Sequence, residues 1–360
     1  MSAFEEPARS RQLLLHSTLR ENCGSGVNQF GQIVEPLNAP VRNEFRSVKL
    51  FAPSAAVLSV LACMEFADAA AIDQTPSIGA SFAVFWTAAR NRPFEDQEAI
   101  WDKVVERPRQ DVYASVVWET RENLHWQEGK DRLLRQRFLQ YPSVSGQIPV
   151  AARTLESDIS VQVTRFRGLF PDAAARPSIR LVLAPNFDAK SGVLENRTPV
   201  LVFAVDSLIL ERADMSVIFP HELFHLYHAN HAGIQNDGVM PGADLTLPLF
   251  AEGLATYVSS VLSPGHSDGQ LLLQNNLGAI PVARLPEVAA RFLPDANEKA
   301  IDPAHRGAFA RWFMGSNKDY QPDLPNRTGY WLGLHVIRQI RRQYSLLEMT
   351  HGTEGAAAQS

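Results

Sequence analysis

The sequence predicts an α+β protein, mainly α-helical, with a small sheet set between two helical stretches. Three observations predict it. Apolar residues recur at helix spacing in the first half, at Ile100, Trp101, Val104 and Val105 and again at Leu155, Ile159, Val163 and Phe166. Two short apolar runs bounded by turn residues, 178–184 and 199–205, read as strands. From about residue 216 onward the apolar pattern is helical again, with prolines at 264, 281, 286 and 294 breaking it into pieces.

In chain order, residues 1–40 are polar and turn-rich. Arg42, Arg46 and Lys49 then precede an apolar run from Leu50 to Cys63, and Ala67-Asp68-Ala69 follows. A basic flank, a short apolar core and Ala-x-Ala form a secretory signal peptide, cut after Ala69 or two residues later, whose core is too short to span a membrane. A leader placed this far into the chain implies a translation start near residue 41. Val60-Leu61-Ala62-Cys63 resembles a lipoprotein cleavage box, so a lipid-anchored Cys63 is the alternative route of export. The expected organisation is an extension and leader over 1–69, a helical region over 70–175, a site-bearing domain over 176–350 and a disordered tail over 351–360.

Cys23 and Cys63 are the only cysteines. Both precede the expected cut, so the exported chain has no disulfide, and any metal it holds must use histidine and carboxylate ligands. With 45% hydrophobic and 20% charged residues and a formal net charge of −5, the composition is that of a soluble globular protein. It has no basic block and no basic–aromatic interleaving, which argues against a nucleic-acid surface. No membrane span is expected in the mature chain.

Within the helical region, 122–139 reads as a strongly charged helix carrying Leu133, Leu134 and Phe138. Phe170-Pro171-Asp172 marks a turn, and 188–197, between the two strands, reads as a loop. Pro220 removes an interior hydrogen bond, so its helix either begins near Ser216 or bends there. That helix carries His221-Glu222-Leu223-Phe224-His225. Four residues advance about 400° around a helix, so the two histidines lie within about 40° of each other on one face. There both imidazoles can hold one tetrahedral zinc, and Glu222 beside it is placed to accept a proton from water rather than to ligate. A second segment, Leu249-Phe250-Ala251-Glu252-Gly253-Leu254-Ala255-Thr256-Tyr257, is apolar apart from one acid, which is costly to bury without a cation.

His-Glu-Leu-Phe-His followed by Glu-Gly-Leu-Ala-x-Tyr resembles the gluzincin metallopeptidases, in particular bacterial predicted zinc-dependent proteases. The resemblance covers about residues 178–345. It implies a zincin-like catalytic domain with His221, His225 and Glu252 as zinc ligands, Glu222 as general base, one Zn²⁺, and peptides or proteins as substrates. It also implies a sheet edge that binds extended peptide, and a late Tyr or His that stabilises the oxyanion. Tyr330 is the first candidate for that role and His335 the second. This chain departs from the pattern at Thr256, where thermolysin-like members of the family carry an Asp that orients the first histidine.

Besides a purely structural helical protein that holds no zinc, two alternatives are carried with this reading. One is a non-catalytic zinc-binding or scaffold protein. The other is a metzincin-like site in which His231, ten residues after His221, is the third ligand. Metzincins turn sharply at a glycine where this chain has His228, and Met240 follows too soon for a Met-turn, so Glu252 is preferred. On a continuing helix His228 is a rim or solvated residue. Asp237 and Asp244, in the loop 233–248, read as turn residues. Gly329 and Gly333, four apart, allow close helix approach.

Overall fold

Ser77 opens the first helix by accepting a hydrogen bond from the Ala80 amide at 3.2 Å, and α1 (Ile78–Ala89) follows. The structure, a computed structural model, describes residues 76–120, 125–174, 176–232, 244–297, 307–314 and 321–351. The expected leader, both cysteines, Asp237, Met240 and residues 352–360 lie outside the described residues. After α1 come α2 (Phe94–Trp101), which runs on through a π-helical turn (Asp102–Glu106), then α3 (Trp126–Val144) and α4 (Ile148–Leu169). Leu134, Phe138 and Tyr141 recur at helix spacing on α3, which extends the expected helix by its last turn. That face packs an aromatic core, with Phe82 edge-on to Tyr141 and Phe85 edge-on to Trp101, each at 5.1 Å between centroids. Glu106 is buried within the bundle, where it accepts from Trp101 Nε1 at 2.6 Å and pairs with Lys130 Nζ at 2.7 Å. Both charges are thereby compensated.

The sheet has three strands, β1 (Ile179–Val182), β2 (Ala189–Val193) and β3 (Pro199–Ala204), in the order β1-β3-β2. β3 runs parallel to β1, with Arg180 opposite Val202, and antiparallel to β2, with Ser191 opposite Leu201. β2 corrects the expectation of a loop over 188–197. Ala-Lys-Ser-Gly-Val has no apolar run to announce it, and its pairing comes from the β3 backbone. A side chain at Gly192 would meet Val116 at 2.7 Å, so the strand lies tightly against the helical region.

β3 turns directly into α5 (Val205–Leu210). Asp206, fully buried there, accepts hydrogen bonds from the Ala184 amide and the Tyr141 hydroxyl, each at 2.9 Å, and lies 3.5 Å from the Arg137 guanidinium. Tyr113 adds a 2.8 Å bond to the Leu183 carbonyl. The helical region and the sheet-bearing region thus share a core within one compact unit.

Two helices then carry the site, α6 (Met215–Ala232) and α7 (Thr246–Leu262). α6 begins at Met215, where the Asp214 carboxylate accepts the Ser216 amide at 3.0 Å, and Pro220 falls in its second turn. Proline offers no N–H to the Ser216 carbonyl, and the Ser263 hydroxyl donates to that oxygen instead. Ser259 likewise donates to the Val217 carbonyl at 3.0 Å, so the break in the ladder becomes a tie between the two helices. Asp244 accepts the Thr246 amide at 3.0 Å at the start of α7, a turn role as expected.

Beyond short one-turn helices such as Asp268–Leu271 and Asn275–Gly278, the chain continues with α8 (Leu285–Phe292), α9 (Gly307–Phe313), α10 (Thr328–Ile340) and α11 (Leu346–His351). Residue 351, expected to begin a disordered tail, instead ends α11, where His351 Nε2 meets the Tyr227 hydroxyl at 2.6 Å. α10 crosses α7 backbone to backbone at two glycines. A Cβ on Gly253 would stand 2.4 Å from the Gly333 carbonyl carbon, and one on Gly333 would stand 2.5 Å from the Leu249 carbonyl oxygen. The expected close approach at Gly333 is therefore made onto the residue beside Glu252. Gly253→Ala is expected to cost about 1–3 kcal/mol of stability through overpacking. Gly168→Ala, at a helical position with nothing within 4 Å, should cost nothing. Urea titrations of the two variants check the contrast. Among the described residues no helix is long and apolar enough to cross a membrane.

Candidate metal centre

His221 and His225 stand one turn apart on α6 with ring centroids 4.8 Å apart, and Glu252 reaches them from α7. The two Nε2 atoms are 3.1 Å apart, and Glu252 Oε2 lies 3.2 Å from the first and 3.4 Å from the second. Three ligand atoms at about 2.0–2.1 Å from one tetrahedral zinc would be separated by about 3.3–3.4 Å. The side chains present therefore fit zinc in both donor type and spacing. The three form one of two groups among the described residues that could hold a metal ion.

The surroundings fix this triangle. Gly253 lets α10 close over α7, and the Thr256 hydroxyl donates to the Glu252 carbonyl at 2.8 Å. Thr256 thus holds the backbone of the acid. Burial alone would raise the Glu252 pKa, but His225 and His221 outweigh it and hold the carboxyl well below the usual carboxylate range. Burial pushes Glu222 the other way. His221 and His225 oppose that rise, while Asp188 and Glu252 add to it.

The triangle and Glu222 line a cleft of about 250 Å³. Asp188, Lys190 and Ser191, at the start of β2, form one wall, and Arg327 and Tyr330 form another. Lys190 is ion-paired with Glu119. Burial, reinforced by Glu252, keeps the Tyr330 hydroxyl protonated far above neutral pH, so it is a donor. A larger cavity of about 630 Å³ opens in the helical region around Trp118, Trp126 and Lys130 and contains none of the candidate site residues.

Three other histidines are placed elsewhere. His335 does not line the cleft; it is buried edge-on to Trp331 at 4.6 Å. Burial and Arg338 lower its pKa to about 4, so it is neutral at physiological pH. His228, expected at the rim, is instead buried at 2% exposure, stacked on Phe224 at 5.2 Å and facing Phe250 of α7. α7 covers the face that a solitary helix would leave open. His231 lies 3.1 Å from Asp172 and stacks on His351 at 4.9 Å, and these three make up the second metal-compatible group. The Tyr227 hydroxyl donates to Asp172 at 2.8 Å in the same cluster, which ties α6 to the 170–172 turn and α11. The structure thus brings His221, His225, Glu252, Glu222 and Tyr330 together and leaves His231, His228 and His335 outside.

Sequence reasoning missed Asp188, Lys190, Ser191 and Arg327. The first three fall in the segment read as a loop. Arg327 is a lone basic residue just ahead of an apolar helix, and that was its only signal. No family model matches the chain, and no curated protein or solved structure matches it either.

Proposed function

We propose that the protein is a zinc-dependent peptidase of the gluzincin type, with a zincin-like arrangement of α6, α7 and the small sheet. The observation that carries this reading is the triangle of His221 Nε2, His225 Nε2 and Glu252 Oε2, with sides of 3.1–3.4 Å, beside the half-buried side chain of Glu222. His221, His225 and Glu252 would hold the metal. When bound, zinc supplies Lewis acidity, lowering the pKa of water and polarising a carbonyl. Three protein ligands leave a position open, as in catalytic rather than structural zinc sites.

The chain's own groups supply the rest. Glu222 accepts a proton from the attacking water on its carboxylate and delivers it to the leaving amine. The Tyr330 hydroxyl, protonated and aimed into the cleft wall, donates to the oxygen on which negative charge develops. β2, an edge strand among the described residues whose start lines the cleft, is the strand against which an extended substrate would lie. The leader-like segment at 42–69 supports export, and so substrates outside the cytoplasm.

Digestion of a peptide library by the purified protein tests the reading. Cleavage is expected, with loss on chelation and recovery when Zn²⁺ is returned. Zinc bound without cleavage would favour the non-catalytic alternative, and no zinc at all would remove the metal centre.

A further inference from the structure

The buried and partly buried arginines of the described residues hold partners. Arg137 pairs with Asp206 at 3.5 Å, Arg284 with Asp323 at 2.6 Å, Arg311 with Asp295 at 2.8 Å and Arg338 with Asp268 at 2.6 Å. Arg109 donates to the Val105 carbonyl at 3.4 Å. Arg327, partly buried in the wall of the metal cleft, has no carboxylate within 4.0 Å among the described residues. Its guanidinium lies over the Tyr330 ring, 4.3 Å from the centroid, and hydrogen-bonds the Tyr330 side chain, so the rest of its donor fork meets no acid. It is also held in a left-handed backbone conformation, φ 64°, immediately before α10, a geometry disfavoured for a residue with a side chain.

A second donor in the same cleft has no partner at all. The hydroxyl of Ser191, 8% exposed on β2, has no hydrogen-bond partner among the described residues. Its neighbour Lys190 is already paired with Glu119. A partly desolvated guanidinium that no acid compensates and a buried hydroxyl that bonds nothing are both costly. Both can donate hydrogen bonds, so one ligand satisfies them together only if it carries several acceptors, and a carboxylate matches the guanidinium fork. Asp188, Glu222 and Glu252 line the same space, so without Arg327 the cleft would repel such a group.

We propose that Arg327 and Ser191 form a subsite that binds a carboxylate of the substrate, either its C-terminal carboxylate or an Asp or Glu side chain next to the cleaved bond. The ligand's being a substrate rests on the peptidase reading, whereas its being a carboxylate rests on a guanidinium without an acid and a buried hydroxyl without a partner.

The test is calorimetric titration of the full chain, as purified, with matched probes. N-acetylphenylalanine is compared with its amide, and N-acetyl-Ala-Glu-Ala amide with its Gln counterpart. At least one acid is expected to bind about 10- to 100-fold more tightly than its neutral twin. Arg327→Met should erase the preference, Arg327→Lys should retain part of it, and Ser191→Ala should weaken it. Equal binding of every acid and its twin by the wild type would overturn the subsite, and needs no variant to fold. A preference that survives in Arg327→Met would place the acid on the metal and overturn it equally. Cleavage of acid and neutral peptides at equal kcat/KM, with equal binding, would remove the subsite and leave the peptidase reading standing. Acid binding through Arg327 without any peptide cleavage would do the reverse.

Discussion

Glu222→Gln is expected to keep its zinc and to lose at least about 10²-fold in peptide turnover. The carboxyl of Glu222 is not one of the three converging ligand atoms, yet it lines the same cleft one residue after His221. Gln has the same length and shape, so the fold and the metal triangle should survive the exchange. What it lacks is a site that can accept the proton from water and pass it on. The comparison pairs metal content with kcat on one peptide. A variant that holds zinc and cleaves at the wild-type rate would show that Glu222 is not the base.

Asp206→Ala should have the largest effect on stability, about 3–5 kcal/mol, because it strands a buried cation. Arg137 is 7% exposed, and Asp206 is its only carboxylate partner among the described residues. The same substitution removes the acceptor for the Ala184 amide and the Tyr141 hydroxyl. Burial raises the Asp206 pKa, while Arg137 and the hydrogen bonds act against that rise. Losing it opens the seam between α3 and the sheet, where Arg137, Tyr141, Ala184 and Asp206 are not among the residues lining the metal cleft. Denaturant unfolding measures the cost. A change of less than about 1 kcal/mol would mean that Arg137 finds its compensation elsewhere.

The parts of this structure that sequence reading reached are those set by local spacing. His221 and His225 share a face because four residues make just over one turn, and Glu252 stands out because it is a single acid in an apolar helix. Gly333 was legible as a close-approach position, although its partner Gly253 was not. What escaped the reading depends on elements distant in the chain. β2 is a strand because β3 offers it a backbone edge, and Ala-Lys-Ser-Gly-Val carries no period of its own. His228 is buried because α7 happens to cover that side of α6, and His231 is drawn away by Asp172 and His351, one well before it in the chain and one well after. Arg327 is notable only for the acid it lacks, which no pattern of neighbouring residues encodes.

The account stands most directly on metal analysis of the purified protein and four variants. One zinc per chain is expected in the wild type and in His231→Ala, and sharply less in His221→Ala, His225→Ala and Glu252→Ala, all with unchanged far-UV circular dichroism. Full zinc in Glu252→Ala together with its loss in His231→Ala would contradict the centre described here and move the third ligand to the end of α6.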